Sequence, residues 1–273
     1  MHRREDWRYF QCTGCGLVSL HPRPSAADLL KAYDTYLPQG ADEIGSWERM
    51  TAPVSETAAT LITGRKEAKG TRLMDIGCGY GFFLKEMARR GWAVEGIEVS
   101  GPGREYARQT LGLSVHSTPL EKMAFPKECF DVVTLFYVIE HLRDPGMVLK
   151  EVYRILKPGG MVLLRWPHST PVVKVLGPFA KWFDIYHTPF HLYDFNPATM
   201  RRLLEKSGFG RIQHLIGGFT LPKKRVYRCS SVLFGRMAQA LYAFSAGRFL
   251  LPGVSKTTLG FKGYAANDSD HRR

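Results

Sequence analysis

The chain has 273 residues, 44% hydrophobic and 23% charged, the balance of a folded globular protein long enough for one large domain with appendages. Five cysteines, an odd number with one close pair, fit reduced thiols and exclude a disulfide framework; no apolar run of about 18 residues is present, so no spanning helix is expected. The net charge of +13 favours an anionic partner, whether a phosphorylated small molecule, nucleic acid or an anionic membrane, against the plainer reading of a solvated basic surface. The charged N-terminus has no apolar signal core, and a cytoplasmic protein is expected.

Residues 7–20 contain Cys12-x-x-Cys15-Gly16, a turn in which two thiolates can grip zinc. A structural zinc needs four ligands. No second C-x-x-C appears, and His2 and His21 lack ligand spacing, so half the set is missing and no metal is expected there. Pro22-Arg23-Pro24-Ser25 and a helix carrying Tyr33-Asp34-Thr35-Tyr36 follow. Pro38, Gly40 and Gly45 among scattered charges make 38–52 read as a linker or flexible lid. Pro53 to Lys69 is predicted as a helix, with Val54, Ala58, Leu61 and Ile62 facing a sheet.

Leu73-Met74-Asp75-Ile76 predicts a buried strand with one acid near its end. Gly77-x-Gly79-x-Gly81 follows, then a helix over Phe82–Arg90 with Phe83, Leu84, Met87 and Ala88 on one stripe. Strand, glycine-rich turn and helix is how a doubly wound sheet opens a nucleotide site. This spacing is neither the dinucleotide fingerprint nor a phosphate loop, and an acid just before the glycines suits a ligand with a positive group. A second strand takes in Val94, Gly96 and Ile97. Glu98 ends it, about twenty residues past the glycines, where a carboxylate can accept both ribose hydroxyls. A helix over Gly101–Leu111 and a short third strand, Leu113–His116, come next. Phe130 to Leu135 is a near-continuous apolar run, as expected for a central parallel strand. Phe136, Tyr137, Glu140 and His141 lie at its carboxyl end, the side on which such sheets bind ligands.

Pro145–Leu156 predicts a helix ended by Lys157-Pro158-Gly159-Gly160, and Met161–Pro167 a fifth strand. Residues 168–195 break the alternation with prolines and the aromatics Phe179, Trp182, Phe183, Tyr186 and Phe190; this insertion is placed to roof a pocket, or else packs as a satellite cluster. His187 and His191 bracket Phe190. A helix from Pro197, a sixth strand over Phe209–Phe219, an apolar helix over Val232–Phe249 and a last strand over Lys256–Ala265 complete the chain, with the tail from Asn267 read as disordered. Lys223, Lys224, Arg225 and Arg228 beside the apolar helix suggest peripheral membrane contact through 223–250; packing on the domain or in a dimer is the other reading.

Asp75-x-Gly77-x-Gly79-x-Gly81, the acid Glu98, the F-D-V-V…E-H-L-x-D-P run from Phe130, Leu156-Lys157-Pro158-Gly159-Gly160 and the His191-led H-L-x-x-F pattern together resemble the class I S-adenosylmethionine-dependent methyltransferases, notably those of quinone biosynthesis. The Cys12/Cys15 turn, Pro22–Ser25 and the Tyr33/Tyr36 helix resemble the second half of a zinc ribbon found in front of many of them, with its first cysteine pair absent. The resemblance implies a doubly wound α/β fold, a seven-stranded, mostly parallel Rossmann-like sheet with the last strand antiparallel plus helical insertions. It implies an N-terminal knuckle and covering helix (1–45), a cofactor-binding core (46–220) and a C-terminal helical insertion, strand and tail (221–273). S-adenosylmethionine is the implied cofactor. Asp75, Gly77, Cys78, Gly79 and Tyr80 are expected near its methionine end, Glu98 and Val99 at the ribose, Pro119 and Leu120 at the adenine, and Phe136 and Tyr137 lining the donor pocket. For a general base, His141 stands first and His191 and His187 after it. The expected acceptor is a small molecule, methylated on oxygen or carbon, with the charge, the roof aromatics and the C-terminal helix pointing to a phosphorylated, lipid-linked or aromatic one. A nucleic-acid methyltransferase and a non-catalytic adaptor that kept the fold are the alternatives. The first lacks an N/D-P-P-Y/F motif, and intact cofactor motifs oppose the second.

Overall fold

The computed structural model of the protein describes residues 7–263; His2 and the tail from Asn267 lie outside them. Two short strands, β1 (Arg8–Gln11) and β2 (Val18–His21), pair antiparallel around the Cys12–Gly16 turn. Helix α1 (Ala26–Tyr33) starts at Ser25, whose Oγ accepts the Asp28 amide at 3.1 Å, a side-chain cap of the usual kind.

Helix α2 runs from Ala41 to Thr63, so the 38–52 lid is helical over most of its length. Pro53 misleads because a proline at the first turn looks like a helix start. Here it sits inside the helix, where it has no N–H to give the preceding turn. A later segment packs against that turn: the Met50 carbonyl accepts the Leu221 amide at 2.9 Å, and a Cβ on Gly218 would lie 2.3 Å from the Pro53 oxygen.

From there strands and helices alternate: β3 (Arg72–Ile76), α3 (Phe82–Arg89), β4 (Ala93–Ile97), α4 (Gly101–Gln109), β5 (Val115–His116), β6 (Phe130–Phe136), α5 (Pro145–Ile155) and β7 (Leu156–Trp166). After β7 come α6 (Thr170–Leu176), a 3-10 turn over 177–182, β8 (Tyr193–Asp194), α7 (Pro197–Lys206), β9 (Gly210–Leu215), α8 (Arg225–Phe244) and β10 (Lys256–Phe261). The main sheet has seven strands in the order β5-β4-β3-β6-β7-β10-β9. Its strands run parallel except β10, which is antiparallel to both neighbours. This is the expected α/β, Rossmann-like sheet. Strand order reverses beside β3, which places the carboxyl ends of β3, β4 and β6 at the switch point where such sheets bind ligands.

Alternation along each strand sorts the core into two layers. Leu73, Val132 and Leu163 pack with Ala58, Ile62, Phe83 and Met87 of α2 and α3. Met74, Val133 and Leu164 face the other way, against Val148 and Val152 of α5 and Met200 and Leu204 of α7.

Helix α5 stops at Ile155, just before the Lys157–Gly160 run as expected, but the run itself already lies inside β7. A Cβ on Gly160 would meet the Lys157 oxygen at 2.7 Å and the Asp131 oxygen at 3.1 Å, and the β6–β7 register shifts here. The glycine therefore marks an irregularity where backbones approach closely. Helix α8 begins at Arg225, seven residues before the periodicity at Val232 suggests, because its first turns are polar and exposed. Strand β8, at the end of the roof insertion, pairs with β2 and so makes a second sheet, β1-β2-β8, out of the chain's two distant segments.

Candidate active site

Asp75 is the fourth residue of β3 and pairs in register with Thr134 of β6 and Gly96 of β4. Register puts the Asp75 and Thr134 side chains on one face, and the Thr134 hydroxyl donates to Oδ1 at 2.7 Å. Burial raises the Asp75 carboxyl to about 8, with the Thr134 hydrogen bond opposing the rise and the nearby Glu98 charge adding to it.

Gly77, Gly79 and Gly81 all take positive φ, +71°, +54° and +80°. Gly77 is further restricted by space, since a Cβ there would lie 2.3 Å from Val138 Cγ2. The Gly77 and Cys78 amides donate to the Ile97 carbonyl at 2.7 and 3.1 Å, which ties the turn to the end of β4. Cys78 points inward, its Sγ 2.7 Å from where a Cβ on Gly96 would stand, and burial pushes its thiol well up. Glu98 follows β4. One of its oxygens accepts the Gly79 amide at 2.7 Å and the other the Ser100 amide at 2.8 Å. Burial raises its carboxyl, and those two amides oppose the rise. Val99, half-buried, shares Arg104 with it: Nη1 donates to both backbone carbonyls at 3.3 Å.

A cover lies over this turn. Leu37 is buried against Gly79 and Gly103, the Tyr80 hydroxyl donates to the Pro38 carbonyl, and Asp34 Oδ1 accepts the Gly101 amide at 3.1 Å. The cover is thus residues 34–38, just before α2. Tyr33 and Tyr36 extend it into an aromatic cluster. Tyr36 stands 5.7 Å from His141, 5.5 Å from His187 and 4.9 Å from Phe190, while His141 and His191 stand 4.8 Å apart, ring centre to ring centre. The three histidines singled out from the sequence are therefore brought together, although α5, β7, α6 and the 3-10 turn separate His141 from the other two in the chain. Burial lowers His141 to about 3 and His191 to about 2, the neighbouring histidines adding to each, so both are neutral imidazoles at physiological pH. His187 is half-exposed at the rim, with Asp184 4.0 Å from its Nδ1.

Other residues take positions that the sequence did not reveal. Phe136 packs its ring against Phe83, 4.7 Å away, on the α2–α3 side. Tyr137 adopts φ +56°, and its hydroxyl accepts Arg165 Nε at 3.1 Å. Leu120 is buried in the main core with Ile97 and Met74, and Pro119 beside it is half-buried. Glu140 is wholly buried, and burial raises its carboxyl to about 8, with the Asp194 charge contributing. Its pairing with His141 in one dipeptide was visible; its burial was not. At the N-terminal turn, Cys12 is exposed and Cys15 half-buried, and among the described residues no His, Asp or Glu completes a ligand group with them. His21 instead contacts Ser19 Oγ at 3.2 Å and the Phe10 ring.

The family of methyltransferase domains matches residues 46–214, more than half of the chain and all of the elements that build this site except the cover. The chain belongs to that family. This methyltransferase is 30% identical over 180 residues to a ubiquinone biosynthesis O-methyltransferase of Pseudomonas entomophila, covering 62% of this chain and 77% of that one. It is 30% identical over 178 residues to the enzyme of the same name from Thiobacillus denitrificans, covering 61% and 76%. Two solved structures share its fold. A S-adenosylmethionine-dependent methyltransferase of Archaeoglobus fulgidus aligns at TM-score 0.55 and 18% identity, covering 79% of this chain and 98% of that one. Phosphoethanolamine N-methyltransferase 2 of Haemonchus contortus, bound to S-adenosylmethionine, aligns at TM-score 0.60 and 18% identity, covering 90% and 63%.

The methyltransferase uses S-adenosylmethionine, and its own residues suit that cofactor. Asp75 and Glu98 are buried acids without an ion pair among the described residues, their partners being a hydroxyl and backbone amides. A ligand carrying a sulfonium and an ammonium group supplies the missing positive charge. Each Glu98 oxygen has one amide donor and so keeps a lone pair for a ribose hydroxyl, and the Ser100 hydroxyl beside it is buried without a partner.

Proposed function

We propose that this methyltransferase acts on a hydroxyl oxygen of a small, aromatic, lipid-linked acceptor. The observation that carries the acceptor class is the cluster of Tyr33, Tyr36 and Phe190 rings around His141 and His191, beside the glycine turn. Aromatic walls favour a flat ring, and neutral imidazoles accept a hydrogen bond from a hydroxyl. The relatives named as ubiquinone biosynthesis O-methyltransferases support oxygen as the atom methylated.

In this reading Asp75 and the Gly77–Tyr80 turn (Gly77, Cys78, Gly79, Tyr80) hold the methionine end of the cofactor. Glu98 and Val99 take its ribose, Pro119 and Leu120 border the adenine, and Phe136 and Tyr137 border the donor pocket. When bound, the cofactor supplies a methyl group made electrophilic by its sulfonium. The chain's contribution is alignment and dryness. Leu37 and Pro38 close over the turn; Tyr33 and Tyr36 wall the acceptor; His141 and His191 orient its hydroxyl. Their low proton affinity makes them orienting partners more than strong bases, and His187 stands at the entrance.

The lipid-linked part rests on α8 and the roof. Tyr227, Leu233 and Phe234 of α8 are exposed, Phe244 at its end is 92% exposed, and Lys223, Lys224, Arg225 and Arg228 lie at its start. The helix touches the domain along a narrow seam of Gly235 and Ala238. Val175, Phe179, Trp182 and Phe183 of the roof are exposed as well. Both segments adjoin the same end of the β7–β10 pair, since α6 follows the end of β7 and Lys256 pairs with Trp166 there. Apolar side chains rimmed by cations suit an anionic bilayer surface. Among the described residues no helix is long and apolar enough to cross a membrane. The three parts of the chain then divide the work: 1–45 covers, 46–220 binds cofactor and acceptor, and 221–273 meets the membrane.

The test is methyl transfer from labelled S-adenosylmethionine to hydroxylated aromatic acceptors with and without a prenyl tail, in buffer and with anionic vesicles. Turnover that needs the hydroxyl, and rises with tail and vesicles, is expected. Transfer to an amine, or to RNA, in preference to every hydroxylated ring would overturn the reading.

A further inference from the structure

Arg165 carries a positive charge that the fold leaves uncompensated. It stands at the carboxyl end of β7 and is 2% exposed. Its Nε donates to the Tyr137 hydroxyl at 3.1 Å. Nη1 donates to the Ser255 carbonyl and the Thr257 hydroxyl, both at 3.2 Å, and Nη2 to the Gly218 carbonyl at 2.5 Å. All four partners are neutral, and among the described residues no carboxylate pairs with it. The backbone closes on the guanidinium, since a Cβ on Gly217 would lie 2.8 Å from Nη1. Lys256, on the neighbouring strand, feels the charge: burial and then Arg165 lower it to about 7. Burying a cation with no counter-charge is costly, so a site that keeps one calls for an anion.

Tyr137 stands between this charge and the cofactor turn. It follows β6 directly and is half-buried. Its φ of +56° is rare for a bulky side chain, and its amide donates to the Arg165 carbonyl at 2.7 Å. The next residue, Val138, lies against Gly77, where an added Cβ would be 2.3 Å from it. The phenolic oxygen accepts Arg165 Nε, so the phenolic proton is aimed away from the guanidinium. Among the described residues it meets no acceptor.

From this we infer that Tyr137 recognises an oxyanionic substituent on the acceptor, a carboxylate or a phosphate, with its hydroxyl as the donor. Arg165 is the positioning residue: it can only donate, so it fixes which way the phenol points, and its charge strengthens the bond that the phenol makes. The inference rests on the aromatic-acceptor reading above and adds the charge of the acceptor to it. The reacting hydroxyl stays with His141 and His191.

The test measures binding without methyl transfer. The full chain, saturated with S-adenosylhomocysteine, is titrated with 4-methoxybenzoate, 4-methoxyphenyl phosphate and 4-methoxybenzamide, followed by ligand-observed NMR. None of the three has a free hydroxyl, so the result is independent of which atom is methylated; failure of the acceptor reading shows instead in the turnover assay above. At least one oxyanion is expected to bind about tenfold or more tighter than the neutral amide, and the tighter of the two tells carboxylate from phosphate. The ratio of oxyanion to amide affinity is then taken within each variant, so that a general loss of binding cancels. It should fall to about threefold or less in Tyr137→Phe and Arg165→Gln and be partly restored in Arg165→Lys, which keeps the charge. Equal binding of oxyanions and amide by the parent chain, no binding of either oxyanion, or a ratio unchanged in both Tyr137→Phe and Arg165→Gln would overturn the assignment.

Discussion

Asp75 and Thr134 show what a single hydroxyl does in a dry site. Among the described residues the Thr134 hydroxyl is the one side-chain donor to the Asp75 carboxyl, whose burial otherwise favours the protonated form. A cationic ligand needs the ionised form. Cofactor affinity is therefore expected to rise with pH up to about 8 and then level off, and calorimetric titrations between pH 6 and 9 read this directly. Thr134→Val removes the donor at nearly constant volume; affinity at neutral pH falls by about 1–2 kcal/mol and the midpoint moves to higher pH. At Gly77 the constraint is steric. Gly77→Ala combines positive φ with a 2.3 Å approach to Val138, and a loss of more than about 2 kcal/mol of stability is expected by denaturant titration, partly restored by Val138→Ala.

At the scale of elements, the cover is latched to the cofactor turn by Tyr80 to Pro38, Asp34 to Gly101, and Leu37 on the glycine turn, and to the roof by the rings around Tyr36. A segment latched in this way can open to admit the cofactor and close to keep water out. Tyr80→Phe removes one latch worth about 1 kcal/mol. The expected result is cofactor dissociation about fivefold faster by stopped-flow, with the fold's thermal midpoint little changed; an unchanged off-rate would mean that the segment does not gate entry. Glycines and prolines near 38–53 mark a lid and a helix start equally well, so the sequence reads a linker or lid over 38–52 where α2 already begins at Ala41.

For the whole molecule, the raised Asp75 carboxyl couples folding to pH. The unfolded chain loses this proton near the ordinary carboxylate value, while the fold keeps it until about pH 8. The unfolded state thus binds fewer protons in between, and this group lowers stability as the pH rises from roughly 4 towards about 8. Asp75→Asn should flatten that slope in urea titrations, and saturating cofactor should flatten it too by stabilising the ionised form. The net charge of +13 adds a second whole-molecule property. Anionic vesicles should bind the protein at low salt and release it as salt rises, and Lys223→Glu/Lys224→Glu/Arg225→Glu should abolish the effect without altering cofactor affinity.

By itself the sequence determined what depends on neighbours along the chain. The strand, the glycine turn, the acid about twenty residues later and the apolar run of β6 are local patterns, and each lies within one βα unit, so spacing alone carries them. The fold class followed from that, and the cofactor from the family resemblance that these patterns carry. Tertiary structure decided what depends on elements meeting. Thr134 reaches Asp75 through strand register, Leu37 reaches Gly79 by folding back over the turn, and His191 reaches Glu140 across 50 residues through backbone hydrogen bonds to Leu192 and Tyr193. Burial completes the division: Glu140 reads as an ordinary acid in the chain, and becomes a wholly buried carboxylate without a partner only when β6, the roof and the N-terminal hairpin close around it.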